Sequence, residues 1–262
     1  MLQTWFKIFY RNSKKNWLNV VVNISGLTLG LSGLLIVLLY FNEENSYNQW
    51  NPNKDDVYRI ANKSKRNGIY FTSTSAEAIL FKSDIPEVES SVLISPFYLS
   101  RVLTSKGKKI YTEKTTFTEP NFFEFFPFLI TEGSTIKFAE SRKHIAISVE
   151  FAERVFGNEK AVGNLVRIDN KDYTVTTVYE VQGKSHYESD LLMQYAAPFE
   201  LHWGNYNNEL FCKLTPAANT ETVKAKMDDV IIEKFVKPNL HKGGVTLAEY
   251  QEKYGAMQVL LE

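Results

Sequence analysis

The pattern of hydrophobic and polar positions divides the chain into a short apolar stretch near the N-terminus and a long mixed region. Residues 16–42 carry no charged side chain, and fifteen of the residues from Trp17 to Phe41 are Leu, Ile, Val or Phe. A helix of that length spans roughly 37 Å, which exceeds a hydrocarbon thickness of about 30 Å. The pattern predicts a transmembrane helix over residues 17–41. The alternative is a cleaved signal peptide, which has a shorter apolar region and a small-residue cleavage site.

Small and polar residues recur at helical spacing within this run. They are Asn19, Asn23, Gly26, Gly30 and Gly33, at steps of four and three, so they share one face of a helix. Such residues allow close backbone approach and hydrogen bonds between membrane helices, so we interpret them as a helix-packing face. Chance is the alternative, because G-x-x-x-G is common in apolar, glycine-rich runs.

The first 16 residues predict an amphipathic helix with a basic face. Apolar side chains follow the spacing i, i+3, i+4, i+7 from Leu2 to Phe9, and the basic side chains fall on the opposite side. Either this helix is a cytoplasmic contact for a partner, or it is an anchor that rests on anionic lipid. The residues assigned to this cytoplasmic interface are Trp5, Lys7, Arg11, Lys14 and Lys15.

The charge distribution predicts the orientation in the membrane. The chain has 30 Lys and Arg against 30 Asp and Glu, but every acidic residue lies at or beyond Glu43. The first 42 residues therefore carry a net charge of +4, and the remainder carries −4. Basic residues favour the cytoplasmic side, so residues 1–16 are predicted to be cytoplasmic and residues 42–262 extracytoplasmic. The neutral total argues against nucleic-acid binding, and the single Cys212 excludes an intramolecular disulfide.

The outer region predicts a mixed α+β domain without internal repeats. Proline and glycine interrupt it at irregular intervals, and the apolar period changes between strand-like and helix-like stretches. The predicted helices are Ser75–Lys82, Pro120–Phe126, Val149–Phe156 and Asn219–Phe235. The predicted strands are Val92–Leu103, Ile110–Phe117, His144–Ser148, Leu165–Ile168, Tyr173–Tyr179 and Leu210–Leu214. The first two are predicted to be joined by a turn at Ser105–Lys108, and Leu165–Ile168 and Tyr173–Tyr179 to form a hairpin around Asp169–Lys171. Gly157 is predicted to end the helix Val149–Phe156.

Motifs of catalysis and cofactor binding are missing from the sequence. The four histidines are scattered and one cysteine cannot form a thiolate zinc site, so no metal is predicted. The sequence has no P-loop and no nucleophile elbow. We therefore expect no catalytic residues, no cofactor and no enzymatic activity, and an enzyme is the least favoured class.

Several ordered motifs resemble MacB/FtsX-type ABC transporter permeases. The N-terminal part has Trp5-Phe6-Lys7-Ile8, the stretch from Asn23 to Leu31, Glu43-Glu44-Asn45-Ser46-Tyr47 and Val57-Tyr58-Arg59-Ile60. The segment from Glu119 to Phe126 is similar to the family's D-P-N-F-F-x-x-F. The stretch from Ile145 to Gly163 resembles its V-V-L-S…A…F-G-x-x…I-G block, and Ser185-His186 with Asp190 matches a similar loop.

The resemblance implies a first transmembrane helix followed by a periplasmic core domain of the MacB type, in the bacterial inner membrane. Such permeases pair as dimers and work with a cytoplasmic ATPase, so it also implies an ABC ATPase subunit, further permease helices and membrane lipid as partners. Family permeases have at least three more membrane helices, and no second apolar span follows here. We expect the N-terminal portion of a longer permease, a split or truncated product, or an independent module.

Two functions follow as hypotheses. The first is the N-terminal part of an ABC permease that couples ATP hydrolysis by a partner to movement of the periplasmic domain, for export of a peptide, lipid or drug-like substrate. The second is a single-pass, membrane-anchored extracytoplasmic sensor or binding module. Association with an ATPase subunit would distinguish the first, and ligand-induced stabilisation would distinguish the second.

Overall fold

The computed structural model describes residues 2–65, 67–96 and 99–262, which form two compact units that meet in sequence between Tyr47 and Asn48. The first unit contains helices α1 (Leu2–Lys15) and α2 (Trp17–Glu44), separated by a single non-helical residue, Asn16. In the described part of the chain, α2 is the one helix long and apolar enough to cross a membrane, with a mean hydropathy of 2.1. The predicted apolar helix is therefore confirmed, and it extends three residues beyond Phe41.

The second unit is a mixed α+β domain, as the sequence predicts. Its helices are α3 (Ser75–Asp84), α4 (Phe122–Phe125), α5 (Thr135–Glu140), α6 (Val149–Phe156), α7 (Thr220–Ile231), α8 (Lys237–Gly243) and α9 (Leu247–Tyr254), with a π-helix at Ile232–Val236. Its strands are β1 (Val57–Ser64), β2 (Gly68–Tyr70), β3 (Val88–Ile94), β4 (Val102–Ser105), β5 (Lys108–Tyr111), β6 (Thr115–Thr118), β7 (Leu129–Gly133), β8 (His144–Ser148), β9 (Leu165–Ile168), β10 (Lys171–Glu180), β11 (Leu191–Gln194), β12 (Glu209–Leu214) and β13 (Gln258–Leu261).

All of these strands belong to one hydrogen-bonded sheet. Its order is β13-β1-β12-β3-β6-β11-β8-β10-β9-β4-β5, with β2 beside β1 and β7 beside β10. The pairs β10–β8 and β11–β6 are parallel, and the other described pairs are antiparallel. The mixture of pairings, with helices inserted between strands, is what an α+β domain requires.

Local sequence signals explain the elements that the sequence predicts best. Ser148 caps α6 by accepting a hydrogen bond from the backbone N–H of Phe151, and Gly157 ends this helix at a positive φ of 62°. Asp169 and Asn170 also have positive φ, which closes the predicted hairpin between β9 and β10. The predicted end of α6 at Gly157 and the predicted hairpin are confirmed, because each depends on contacts within a few residues.

The predicted hairpin between Val92–Leu103 and Ile110–Phe117 is wrong in its strands. The turn lies where the sequence predicts it, at Lys106 and Gly107, but it joins the short strands β4 and β5. The outer parts of the predicted strands belong to β3 and β6 instead. The predicted strand Val92–Leu103 also includes residues 97 and 98, which lie outside the described residues. The predicted helix Pro120–Phe126 shortens to α4, and Asn219–Phe235 divides into α7 and a π-helical turn.

The hydrophobic core has three parts along the sheet. One lies under α3 and α7, against β1, β3, β12 and β13. One is aromatic and surrounds the segment from Phe122 to Phe128. The third lies under α6, against β8, β9, β10 and β11. The aromatic part of the core packs against the first residues of the domain, which belong to the candidate site.

Candidate functional site

The five residues of the predicted helix-packing face lie on α2. At 100° per residue they fall within about 80° of the helix circumference, so the helix places them on one face. All five are exposed in this chain, and a Cβ added at any of the three glycines would meet no atom within 4 Å. They are Asn19, Asn23, Gly26, Gly30 and Gly33. This exposure is shared by the whole of α2, which has no buried residue, so the packing role of the face stays a prediction.

The predicted cytoplasmic interface lies on α1 and divides between two faces. Lys7, Arg11, Lys14 and Lys15 fall on one side of the helix, and Trp5 falls on the other with the apolar side chains. Trp5 is 75% exposed. The helix is amphipathic, but it does not bring Trp5 together with the four basic residues. One contact surface could therefore use the indole or the basic side chains, not both.

The first residues of the outer domain form a segment that the sequence did not single out as functional. We call residues 48–53 the docking segment, because they follow the apolar helix directly and are bonded to two distant parts of the domain. The backbone N–H of Asn48 donates to the carbonyl oxygen of Lys184 at 2.9 Å. The indole Nε1–H of Trp50 donates to the same oxygen at 3.1 Å. The side-chain amide nitrogen of Asn48 lies 3.0 Å from Nδ1 of His186.

The second set of bonds joins the docking segment to the turn that carries α4. The buried Asn51 donates from Nδ2 to the carbonyl oxygen of Phe125 at 2.8 Å. Asn53 donates from Nδ2 to the carbonyl oxygen of Glu124 at 2.9 Å. Both amides satisfy backbone carbonyls that helix α4, with only four residues, leaves without partners. The two asparagines therefore complete α4 as C-terminal caps supplied from another part of the chain.

Aromatic packing supports these hydrogen bonds. The rings of Trp50 and Phe128 have centroids 5.0 Å apart and are tilted by 36°. Phe128 in turn stacks on the fully buried Tyr179, with centroids 5.3 Å apart. The Tyr179 hydroxyl donates to the carbonyl oxygen of Ser189 at 2.5 Å, in the loop that also contains Lys184. The docking segment, the α4 turn and the 183–190 loop thus share one aromatic core.

The last strand of the domain returns beside the first. β13 pairs antiparallel with β1, and the backbone N–H and carbonyl groups of Arg59 and Glu262 bond to each other at 2.8 and 3.0 Å. The Arg59 guanidinium lies 3.1 Å from the Glu262 carboxylate, 3.8 Å from Glu209 and 4.0 Å from the centre of the Phe71 ring. Glu209 also accepts a short hydrogen bond from the Tyr187 hydroxyl. A chain of side chains therefore links β13, β1 and the 183–190 loop.

Asp190, which the resemblance singled out, has a structural role here. Its Oδ2 atom accepts hydrogen bonds from the backbone N–H groups of Glu113 at 2.5 Å and Lys114 at 3.3 Å. Oδ1 lies 3.6 Å from the Arg154 guanidinium. The carboxylate holds the loop against the turn before β6. His186, in the same loop, faces the docking segment.

The described residues contain no group of three or more His, Cys, Asp or Glu side chains arranged to hold a metal ion. Cys212 is completely buried in β12, and burial raises the pKa of its thiol, so it is a core residue. The groups that the structure does bring together are hydrogen-bonding and aromatic side chains at the start of the domain. Such an arrangement fixes the position of one segment on another.

Sequence reasoning missed the docking segment because its partners lie more than 70 and 130 residues away. One local signal was available. Five side-chain amides and an indole occur from Asn45 to Asn53, which is an unusual density for a simple linker. Amides and indoles bury apolar area and still need hydrogen-bond partners, so such a cluster favours a docked segment.

Comparisons with known proteins agree with this architecture. The model of the family described as MacB-like periplasmic core domain matches residues 20–230. A search of the curated proteins gave no match. A domain of a putative permease protein from Porphyromonas gingivalis is similar in structure, with a TM-score of 0.60 and 18% identity over 80% of this chain and 91% of that one.

Two further solved structures share the fold. The periplasmic region of MacB from Actinobacillus actinomycetemcomitans has a TM-score of 0.53 and 13% identity, over 78% of this chain and 88% of that one. The extracellular domain of the noncanonic ABC-type transporter YknZ from Gram-positive bacteria has a TM-score of 0.51 and 12% identity, over 78% and 99%. At these identities the likeness concerns the fold alone.

Proposed function

Because the chain belongs to the family of MacB-like periplasmic core domains of ABC transporter permeases, we propose that it transmits movement between a membrane helix and an extracytoplasmic domain. Components of this class are transporter parts rather than typical enzymes, and the ATPase is a separate subunit. The proposal adds that this chain works with such an ATPase, in a bacterial inner membrane, with its N-terminus in the cytoplasm. Its role is mechanical, and the transported substrate is a peptide, a lipid or a drug-like compound.

The docking segment is the observation that carries this proposal. A displacement of α2 reaches the outer domain through residues 45–48, and a flexible linker there would absorb it. Instead, backbone and side-chain hydrogen bonds tie Asn48, Trp50 and Asn51 to two loops within a few residues of the helix end. Short, hydrogen-bonded connections transmit displacement because their few rotatable bonds are already fixed.

The open face of α2 supports a partner within the membrane. A single helix in lipid gains nothing from a row of asparagines and glycines, whereas a helix pair gains close packing and hydrogen bonds. We propose that Asn19, Asn23, Gly26, Gly30 and Gly33 contact a further permease helix or α2 of a second copy. The basic face of α1 with Lys7, Arg11, Lys14 and Lys15 is the proposed cytoplasmic contact, and Trp5 lies on the lipid side.

The experiment that tests the coupling uses the full chain in lipid nanodiscs with its ATPase subunit and the remaining permease helices. Spin labels on exposed outer-domain sites report the distance between domains with and without ATP. We expect an ATP-dependent change in distance in the native protein. The double variant Asn48→Ala with Trp50→Ala should lose most of that change while ATP hydrolysis continues. Loss of hydrolysis and movement together would indicate failed assembly, and an unchanged distance response in the variant would refute the proposed path.

A further inference from the structure

A surface cleft of about 640 Å³ lies on the second unit, and its lining includes Glu124, whose carbonyl oxygen accepts the hydrogen bond from Asn53. One side is formed by α3 and the neighbouring β3, and the other by the turn before α4 with Phe199. This volume is within the usual range for small-molecule sites, about 300–1,000 Å³. Its lining contains apolar side chains, among them Ile79 and Phe199, and a larger number of polar or charged ones, among them Lys82, Glu119 and Glu124.

The most constrained charged group in the cleft is Glu119. Its Oε2 atom accepts a hydrogen bond from the backbone N–H of Leu93 at 2.7 Å, which fixes the carboxylate in place. Oε1 has no protein hydrogen-bond donor in the part of the chain that the structure describes. Burial raises the pKa of Glu119, although the Leu93 N–H and the charges of Lys82 and Arg142 partly oppose this effect. A desolvated carboxylate with an uncommitted oxygen is stabilised by a further donor, most strongly by a positively charged one.

The two nearby positive groups do not fill that role. Arg142 donates from Nη1 to the carbonyl oxygen of Tyr195 at 2.7 Å, and its charge reaches Glu119 only at a distance. Lys82 is exposed at the rim of the cleft, and among the described residues it forms no ion pair. Its four-carbon stem leaves the ammonium free to move with the solvent.

The apolar lining lies in the same cleft as Glu119. Ile79 on α3 and the ring of Phe199 both contribute to it. Phe199 is held by edge-to-face packing on Tyr195, with centroids 4.7 Å apart, so its ring is ordered. We propose that this cleft binds a small organic cation, in which an ammonium group bonds to Glu119 and an adjacent apolar group packs against Ile79 and Phe199.

This binding does not rest on the proposed coupling function, and it is measured without ATP or ATPase. The probe is 2-phenylethylammonium, titrated calorimetrically into the full chain in nanodiscs, with empty nanodiscs to subtract partition into lipid. The matched uncharged compound is 2-phenylethanol. We expect the ammonium compound to bind about tenfold more tightly than the alcohol, because a charge-assisted hydrogen bond contributes about 1.4 kcal/mol or more. Equal binding of the two compounds, or no saturable binding at millimolar concentration, would overturn the proposal.

Three variants sharpen the test. Glu119→Gln keeps an oxygen that accepts the Leu93 N–H, so the fold is retained, and it should abolish the preference for the ammonium compound. Lys82→Gln removes a competing positive charge and should tighten ammonium binding about twofold. Glu140→Gln removes an exposed carboxylate on α5 outside the cleft and should change nothing. A Glu119→Gln variant that keeps the preference, or weaker binding by Lys82→Gln, contradicts the assignment.

Discussion

The indole N–H of Trp50 donates a hydrogen bond to the backbone carbonyl oxygen of Lys184, although the two residues are 134 positions apart in the chain. The same oxygen accepts the backbone N–H of Asn48. One carbonyl therefore fixes both the backbone and a side chain of the docking segment. Because this segment is the covalent route from α2 into the domain, its attachment is the first property to test.

Removing the Trp50 side chain should loosen the domain in two separable steps. Trp50→Phe keeps the ring contact with Phe128 and loses the hydrogen bond, at a cost of about 1 kcal/mol. Trp50→Ala loses both, at a cost of about 2–3 kcal/mol. The measurement is the rate at which a thiol reagent labels Cys212, which is fully buried and reacts only when the sheet opens. The labelling rate should rise about fivefold in Trp50→Phe and at least about thirtyfold in Trp50→Ala. Equal rates in the two variants would show that the ring contact contributes nothing.

Gly133 should tolerate no side chain. It has a φ of 82°, and a Cβ there would lie 2.0 Å from the carbonyl oxygen of Thr176. Gly244 has a similar φ of 66°, lies in the left-handed helical region and has open space around its Cβ position, so it is the matched control. Gly244→Ala should cost about 1 kcal/mol from backbone strain alone, a fall in melting temperature of about 2–4 °C. Gly133→Ala should lower the melting temperature of the full chain by more than about 8 °C, because the β7–β10 pair must separate. Similar falls in both variants would refute the close approach.

Glu77 should make the domain less stable as the pH rises. This residue is completely buried at the start of α3, and burial raises the pKa of its carboxyl from 4.5 to about 7 despite hydrogen bonds from Thr74. Between these values the folded state holds the proton and the unfolded state does not. The stabilisation is therefore fully present below pH 4.5 and is lost as the pH rises to about 7, by about 3 kcal/mol in total.

The measurement is the free energy of unfolding of the full chain between pH 4.5 and 8, compared with Glu77→Gln. Burial raises the pKa of Glu119 and Asp228 as well, so the native protein alone would not isolate one group. Glu77→Gln keeps an acceptor for the Thr74 N–H and does not titrate. The free energy of unfolding of Glu77→Gln should be similar to or below that of the native protein below pH 5. Relative to the native protein it should then rise by about 3 kcal/mol towards pH 7. A difference that is constant with pH would contradict the assigned protonation.

Added volume on the open face of α2 should disrupt association in the membrane. Gly30→Leu fills the face where helices are proposed to approach, whereas Ser32→Leu places the same side chain on the opposite side. We expect Gly30→Leu to lose co-purification with the partner helices, or self-association if α2 pairs with a second copy. Ser32→Leu should retain both. The measurement is the mass of the complex in detergent, and identical masses for the two variants would exclude this packing face.

Much of the fold could be predicted wherever the determining contacts are local. The stop at Gly157 and the turn at Asp169 and Asn170 place the end of α6 and the β9–β10 hairpin correctly. Apolar residues recur on both sides of Ser95 and Pro96, so the pattern from Val92 to Leu103 does not show that β3 ends at Ile94. Strand β11 was missed because its four residues are all buried between β6 and β8 and show no alternation.

The candidate site could be predicted only in its membrane part. Spacing alone places Asn19 and Gly33 on one face of α2, because a long helix has a single period. Trp50, Asn51 and Lys184 come together through the sheet and the aromatic core, and no window of sequence contains both sides of that contact. Glu119 lies in a motif that suggested family membership, whereas its place in a cleft depends on α3 and Phe199.

The antiparallel pairing of β1 with β13 determines how this domain responds to tension. Arg59 and Glu262 are level with each other, so a load applied to the start of β1 and to the end of β13 acts on neighbouring points. Hydrogen bonds in such a pair are perpendicular to the strands. Forces that separate these two points break the β1–β13 hydrogen bonds one after another. Forces that move the two points together place no load on these bonds. The domain is therefore stiff when the two strand ends move together and opens readily when they are pulled apart.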